Sequence, residues 1–294
     1  MNVSVVVPVY NGSATIEACV RALLEQSLSK ECYEIVVVDD GSTDATAEIV
    51  QRYPVRLLRR PNGGAPAARN TGVAAATGTW VAFTDADCVP SRTWLARLLD
   101  AVERTPSDVP ALGAAGRMIG FDSTTDAARF VDISGGLDAE RYLAHPTFPF
   151  APSGNLMYRR DALVASGGYD ERYATYDACD LHTRLRAIDR GGFHFAKAAV
   201  VLHRQRATWR QYWKQQFYYG VGYAQFMLRW RDRVRWNPLR EIAAFAGVVR
   251  DGIAALLPAK GDEALRRRGA FVRAAAQHAG RIVTYYDPAE RRRW

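Results

Sequence analysis

The sequence predicts an α/β protein: a mostly parallel, Rossmann-like sheet flanked by helices, followed by a helical C-terminal extension. Three observations carry this reading. Apolar, β-branched runs alternate with amphipathic stretches over residues 3–84, with short turns between them. Acidic and polar residues gather where those runs end, at the carboxyl ends where open parallel sheets bind ligands. The charge then changes sign along the chain. From His203 onward 19 Lys and Arg stand against 7 Asp and Glu, a net of +12, whereas residues 1–202 carry 20 basic and 24 acidic residues, a net of −4. The expected organisation is a domain over 1–206, with halves at about 1–110 and 111–206, and a basic helical extension over 207–294.

The elements follow in order. Val3 to Val9 is a continuous β-branched run, the pattern of a strand buried on both faces, with Pro8 near its end where a lost donor does least harm. Tyr10-Asn11-Gly12 turns into a helix over Ile16 to Gln26. Glu34 to Val38 is a second buried strand, and Thr43 or Asp44 can cap a helix over Ala45 to Arg52. Val55 to Leu58 gives a short third strand, Ala65 to Ala76 a small-residue helix and Thr79 to Thr84 a fourth strand. Beyond it, Ala111 to Ile119 and Ala198 to Leu202 read as strands, Arg160 to Ala165 and 177–190 as helices, and 122–145 as a polar, variable region. Trp209 to Phe226 is an aromatic-rich helix interrupted at Gly220 and Gly222.

Composition narrows the function. Apolar content of 48% and aromatic content of 11% are those of a globular chain, not a disordered or collagen-like one. Four cysteines without paired spacing fit a reducing compartment, no secretory leader pattern is visible, and no uncharged apolar run reaches the length of a bilayer span. A cytoplasmic location is expected, with peripheral contact at the cytoplasmic face of the inner membrane as an option.

Asp85 and Asp87 end the fourth strand with only Ala86 between them. In extended chain they face the same way and repel, so a cation or hydrogen-bond donors must offset them. A hard divalent cation is the natural answer, a solvated strand end the plain alternative.

In this order and at this spacing VSVVVPVYNG, EIVVVDDGSTD, NGGAPAARNTG and WVAFTDADC, over residues 3–90, resemble the successive motifs of the inverting glycosyltransferases of family 2, which have the GT-A fold. The resemblance implies metal-dependent, inverting transfer of a sugar from a nucleoside-diphosphate donor, a UDP-sugar by preference, with Mn²⁺ or Mg²⁺. The acceptor would be a glycan or a lipid-linked intermediate of envelope or extracellular polysaccharide synthesis. It implies Asp40 at the base edge, Pro8, Tyr10 and Asn11 lining the base pocket, Asp85 at the ribose, Asp87 at the metal, and Arg69 near the phosphates and sugar. FAPSGNLMYR, over 150–159, resembles the loop beside the donor sugar, making Ser153, Gly154 and Asn155 candidate donor or acceptor contacts. His203 stands where relatives place a metal or diphosphate ligand, Arg206 where they place a phosphate-binding arginine. Gln216 and the aromatic face around it resemble a segment that closes over the site.

Inversion needs a carboxylate to take the acceptor's proton. Relatives usually show Glu-Asp-X-Asp-Leu; aligned on Asp180-Leu181 and Arg184, this chain has Asp177 at the Glu position and Ala178 where the base is expected. Asp177 or Asp180 is then the base, Asp177 being favoured because it can project from a helix N-terminus. That position favours the ionised form, so a weak base is expected. The departure at 178 also leaves a second class open, a non-catalytic nucleotide-sugar-binding or scaffold protein of a polysaccharide assembly.

In the extension, Pro238 to Leu257 is amphipathic, with Ile242, Phe245, Val249, Ile253 and Leu256 on a face that Arg240, Glu241, Arg250 and Asp251 avoid. Asp262 to Tyr286 is a second helix, rich in Arg266, Arg267, Arg268, Arg273 and Arg281, and Arg291, Arg292 and Arg293 end the chain. An in-plane membrane contact suits this composition; packing on the first domain or a homodimer contact is the equal alternative. Nucleic acid is not an expected partner, since no nucleic-acid motif is visible and residues 1–202 are acidic.

Overall fold

The computed structural model describes residues 2–103, 110–234 and 237–293. In chain order they form β1 (Val3–Val9), α1 (Ile16–Leu24), β2 (Tyr33–Asp39), α2 (Thr46–Val50), β3 (Arg56–Arg59), α3 (Ala65–Ala75), β4 (Trp80–Phe83), β5 (Cys88–Pro90) and α4 (Trp94–Glu103). There follow β6 (Gly113–Phe121), α5 (Asp126–Ile133), α6 (Ala139–Leu143), β7 (Leu156–Arg159), α7 (Arg160–Ala165), α8 (Asp177–Ile188) and β8 (Phe193–Arg204). The last helices are α9 (Trp209–Arg229), α10 (Pro238–Leu256), α11 (Gly261–Tyr286) and α12 (Pro288–Arg293). The chain divides into two compact units. One holds Met1–Ile119, Leu137–Glu171 and Asp177–Arg204; the other holds Gly120–Gly136, Arg172–Tyr176 and Gln205–Trp294.

The first unit is built on an eight-stranded sheet of order β3-β2-β1-β4-β7-β6-β8-β5. β1 lies between β2 and β4, parallel to both, with Val3 opposite Tyr33 on one side and Trp80 on the other. Every residue of β1 is buried. Val3, Val5, Val7 and Val9 pack with Ile16, Val20 and Leu23 of α1 and with α4, while Val6 faces the opposite layer with Phe83, Tyr158 and Leu181. Period-two alternation with apolar residues on both sides is what a helix-covered strand requires. Past β4 the sheet turns antiparallel: Trp80 pairs with Arg159 of β7, and Cys88 of β5 with His203 of β8. β8 is longer than the apolar run at 198–202 suggested, beginning at Phe193. The polar stretch 122–145 contains two helices capped by Thr125, which accepts from Ala128 N, and Asp138, which accepts from Arg141 N.

The second unit centres on α9 and α11. α9 starts with a capping box at Thr208 and Gln211 and runs unbroken to Arg229, so the expected interruption at Gly220 and Gly222 does not occur. Both glycines serve close approach instead. A Cβ at Gly220 would strike the backbone of Gln277 in α11, one at Gly222 would strike Thr175, and one at Gly280 would strike the Phe217 carbonyl. Phe130, Tyr212 and Leu265 form a small core beside this helix pair.

Replacing Gly220 by Ala should therefore destabilise the fold by about 1–3 kcal/mol through overpacking. The same change at Gly247 in α10, where a Cβ meets open space, should stabilise by up to about 1 kcal/mol through helix propensity. Denaturant midpoints of the two variants check the contrast.

Candidate active site

Three turns meet at the carboxyl ends of β1, β2 and β4. After β1, Asn11 takes a left-handed φ of 50°, a conformation that Asn tolerates better than most residues. Its N–H donates to Ser42 Oγ at 2.9 Å and its Oδ1 accepts from Thr43 N at 2.8 Å. Ser13 N donates to Asp44 Oδ2 at 3.1 Å. Burial pushes the Asp44 carboxyl up, but hydrogen bonds from Thr46 and Ser13 outweigh it and hold the group at about 2. These bonds stitch the first two turns together. Pro8 is buried within β1, whereas Tyr10 is exposed at the rim. Asp40 is 2% exposed; it accepts from Gly63 N at 3.1 Å and Gly64 N at 2.7 Å, with Arg60 at 3.3 Å. Its carboxylate thus holds the loop that leads into α3.

The chain after β4 turns rather than extending, with Cys88 N donating to Asp85 O at 3.0 Å. The turn sends the two carboxylates to different partners. Asp85 Oδ1 accepts from Arg69 Nη2 at 2.9 Å, and Arg69 Nη1 donates to Asp177 Oδ2 at 2.8 Å. One guanidinium from α3 therefore ties the end of β4 to the first residue of α8, across 108 positions of sequence. Arg69 is buried, lies over the ring of Tyr169 at 5.4 Å, and keeps an Nε with no hydrogen-bond partner among the described residues. Asn70 pins that tyrosine: its Oδ1 accepts from Tyr169 N and its Nδ2 donates to Tyr169 O, both at 2.8 Å. Ser153 Oγ lies 3.3 Å from the Tyr169 hydroxyl, and a Cβ on Gly154 would stand 3.1 Å from Asp85 Oδ2. Any side chain at 154 would crowd that carboxylate.

Asp177 follows Tyr176, whose φ of 67° is an uncommon conformation for a bulky residue. Burial raises the Asp177 carboxyl above its ordinary value; Arg69 and the backbone N–H groups of Asp177 and Ala178 pull it back, and Asp85 adds to the rise. Desolvation prevails over the helix N-terminus here, so the group is a stronger base than its position on the helix alone suggests.

Asp87 starts the second cluster. Its Oδ1 lies 3.7 Å from His203 Nε2, too far for a hydrogen bond, and His203 Nδ1 is buried with no hydrogen-bond partner among the described residues. Donor atoms of Asp87, Cys88 and His203 all lie within 4.8 Å of one another. A carboxylate oxygen and an imidazole nitrogen at this separation fit a divalent ion such as Mn²⁺, and the carboxylate alone also suits Mg²⁺. Charge is unbalanced at Arg69 as well: its one guanidinium meets two carboxylates, Asp85 and Asp177.

Asp180 is fully buried and accepts from Arg184 Nε at 2.7 Å, while Arg184 also donates to the carbonyls of Ser166 at 2.6 Å and Gly168 at 2.7 Å. Asn155 is committed to the scaffold: Oδ1 accepts from Trp94 Nε1 at 2.8 Å, and Nδ2 donates to Arg117 O at 3.0 Å and Ala199 O at 2.9 Å. Arg206 and Gln216 belong to the second unit, where Gln216 Oε1 accepts from Gln277 at 2.7 Å. Tyr169 and Asn70 were not among the sequence candidates. Their signal was the Asn beside Arg69 and the Gly167-Gly168 turn that precedes Tyr169.

A family model described as Glycosyl transferase family 2 matches residues 4–166. Glycosyltransferase AglE of Haloferax volcanii is 30% identical over 286 residues, spanning 92% of this chain and 87% of AglE. Mannosyltransferase PcManGT from Pyrobaculum calidifontis, solved with GDP-Man and Mn²⁺, superposes with a TM-score of 0.69 at 21% identity, covering 98% of this chain and 88% of that one. S. aureus TarS 1–349, solved with UDP-GlcNAc, gives 0.57 at 18% identity, covering 98% and 93%. At these identities the structural likeness establishes the fold, a mixed α/β arrangement of the GT-A type with a C-terminal helical region.

Replacing Asp180 by Asn should cost about 3 kcal/mol of stability, because Arg184 loses its buried counter-charge. Thermal and denaturant unfolding check this; an unchanged midpoint would free Asp180 from a purely structural role.

Proposed function

Because the chain belongs to glycosyl transferase family 2, we propose that it transfers a sugar, with inversion, from a nucleoside-diphosphate donor to a glycan or lipid-linked acceptor, with Asp177 as the base. The observation that carries the reading is the Arg69 fork, which holds Asp85 by one nitrogen and Asp177 by the other. A donor-side carboxylate and a base are thereby fixed within the span of one planar guanidinium. The donor would lie across the ends of β1, β2 and β4. Tyr10 would stack on the base, the remaining acceptor capacity of Asp40 would meet its edge, and Asp85 would bind the ribose. Asp87 and His203 would hold Mn²⁺ or Mg²⁺, whose charge offsets that of the diphosphate. The solved neighbours with GDP-Man and UDP-GlcNAc support a sugar-nucleotide donor; a UDP-sugar is the preferred one.

The acceptor hydroxyl attacks C1 and gives its proton to the Asp177 carboxylate. The bond from C1 to the diphosphate oxygen breaks as the new C1–O bond forms, and the nucleoside diphosphate departs with the electron pair. Attack from the face opposite the leaving group inverts C1. Arg69 favours the ionised form of the buried base, and Tyr169 and Asn70 keep Arg69 in place. Polysaccharide or lipid-linked glycan assembly at the cytoplasmic face of a membrane is the setting that suits such an acceptor.

Asp177→Asn should lower kcat about 10²- to 10⁴-fold while thermal shift by the donor persists; near-normal turnover would sink the base assignment. The raised Asp177 carboxyl shifts the acid limb of the wild-type kcat profile upward from that of an ordinary aspartate. Arg69→Met removes a group that lowers that value, so the limb should move to higher pH; a limb that stays fixed would contradict the coupling. Asp87→Ala should abolish both transfer and metal-dependent stabilisation across a panel of nucleotide sugars with Mn²⁺ and Mg²⁺.

A further inference from the structure

α10 presents two different sides. Along one it packs on α11, where Gly252 brings the backbone against the ring of Phe271 and Glu241 reaches Arg281 at 3.8 Å and His278 at 4.0 Å. On another side Leu239, Ile242, Phe245, Val249, Ile253 and Leu256 are 46–87% exposed. At 3.6 residues per turn these six fall within an arc of about 120° and a strip about 26 Å long. No acidic residue lies in the arc, and exposed Arg250, which donates to Asp251 at 2.8 Å, borders it. The end of α11, next to the Glu241–Arg281 pair, exposes Ile282, Val283 and Tyr286 as well. Isolated exposed apolar side chains are ordinary, but a continuous strip of this size marks a contact surface.

Charge decides what covers it. The chain from His203 onward carries a net of +12. Two copies of a chain segment with this net charge repel each other on approach, whereas an anionic surface attracts it. No helix among the described residues is long and apolar enough to cross a membrane. An apolar stripe with arginine at its edge is the form of a helix that lies in the plane of a bilayer surface. We propose that α10 docks on an anionic lipid bilayer, its apolar strip among the acyl chains and the neighbouring arginines on the headgroups. This docking is independent of the transferase reading, since vesicle binding needs no catalysis.

The test is sedimentation of the full chain with vesicles of phosphatidylcholine alone or mixed with phosphatidylglycerol. Wild type should bind the mixed vesicles and much less the neutral ones. Ile242→Gln, Ile253→Gln and Leu256→Gln together should lower the partition coefficient about tenfold or more, with circular dichroism and thermal midpoint unchanged because these side chains are exposed. Should the triple variant misfold, Leu256→Gln alone, at the most exposed position, should still reduce binding measurably. Unchanged binding by a folded variant would overturn the proposal. So would a wild type that ignores anionic vesicles, or one that is dimeric in sedimentation velocity and becomes monomeric in the triple variant.

Discussion

The buried guanidinium of Arg69 is the interaction on which the rest of the site depends. Taking an arginine out of water costs several kcal/mol, and only a partner set of matching geometry offsets that cost. Here the set is two carboxylates at 2.9 and 2.8 Å and an aromatic face at 5.4 Å. Each partner comes from a different part of the chain: Asp85 from the turn after β4, Asp177 from the start of α8, and Tyr169 from the loop after α7. Loss of Arg69 would leave the buried Asp177 carboxylate without its counter-charge. The bond network is therefore structural and electrostatic at once, fixing the carboxylates in space and setting how readily Asp177 holds a proton.

The sheet supplies the platform. β1 can sit at its centre because its valines fill both layers, and its central place brings the turns after β1, β2 and β4 side by side. The reversal of direction at β7 then lets β8 return beside β5, which sets His203 opposite Cys88 and next to Asp87.

What was legible in the sequence was local. β-branched runs declared the parallel strands, and polar residues at their ends declared the turns that gather at the carboxyl ends of β1, β2 and β4. Turn geometry was less so: Asp85 and Asp87 suggested two carboxylates on one side of an extended chain, but the chain bends there and sends each to its own partner. Long-range partners were not legible at all. Nothing near Asp177 in the sequence announces Arg69, and Asn155 looks like a free loop amide until Trp94, Arg117 and Ala199 converge on it. Asp180 did carry a local signal, an arginine four residues on, and that spacing is realised as a buried ion pair. Glycines in α9 read as breaks because their role depends on a second helix that sequence spacing does not reveal.

The proposed mechanism, with one base opposite one leaving group, permits a single displacement. The stereochemistry at C1 tests that directly: the anomeric coupling constant, read by proton NMR, of a glycoside made from the donor that stabilises the protein. Inversion relative to the donor is the result the account predicts. Retention would contradict it, because a single displacement from the face opposite the leaving group cannot retain the configuration at C1.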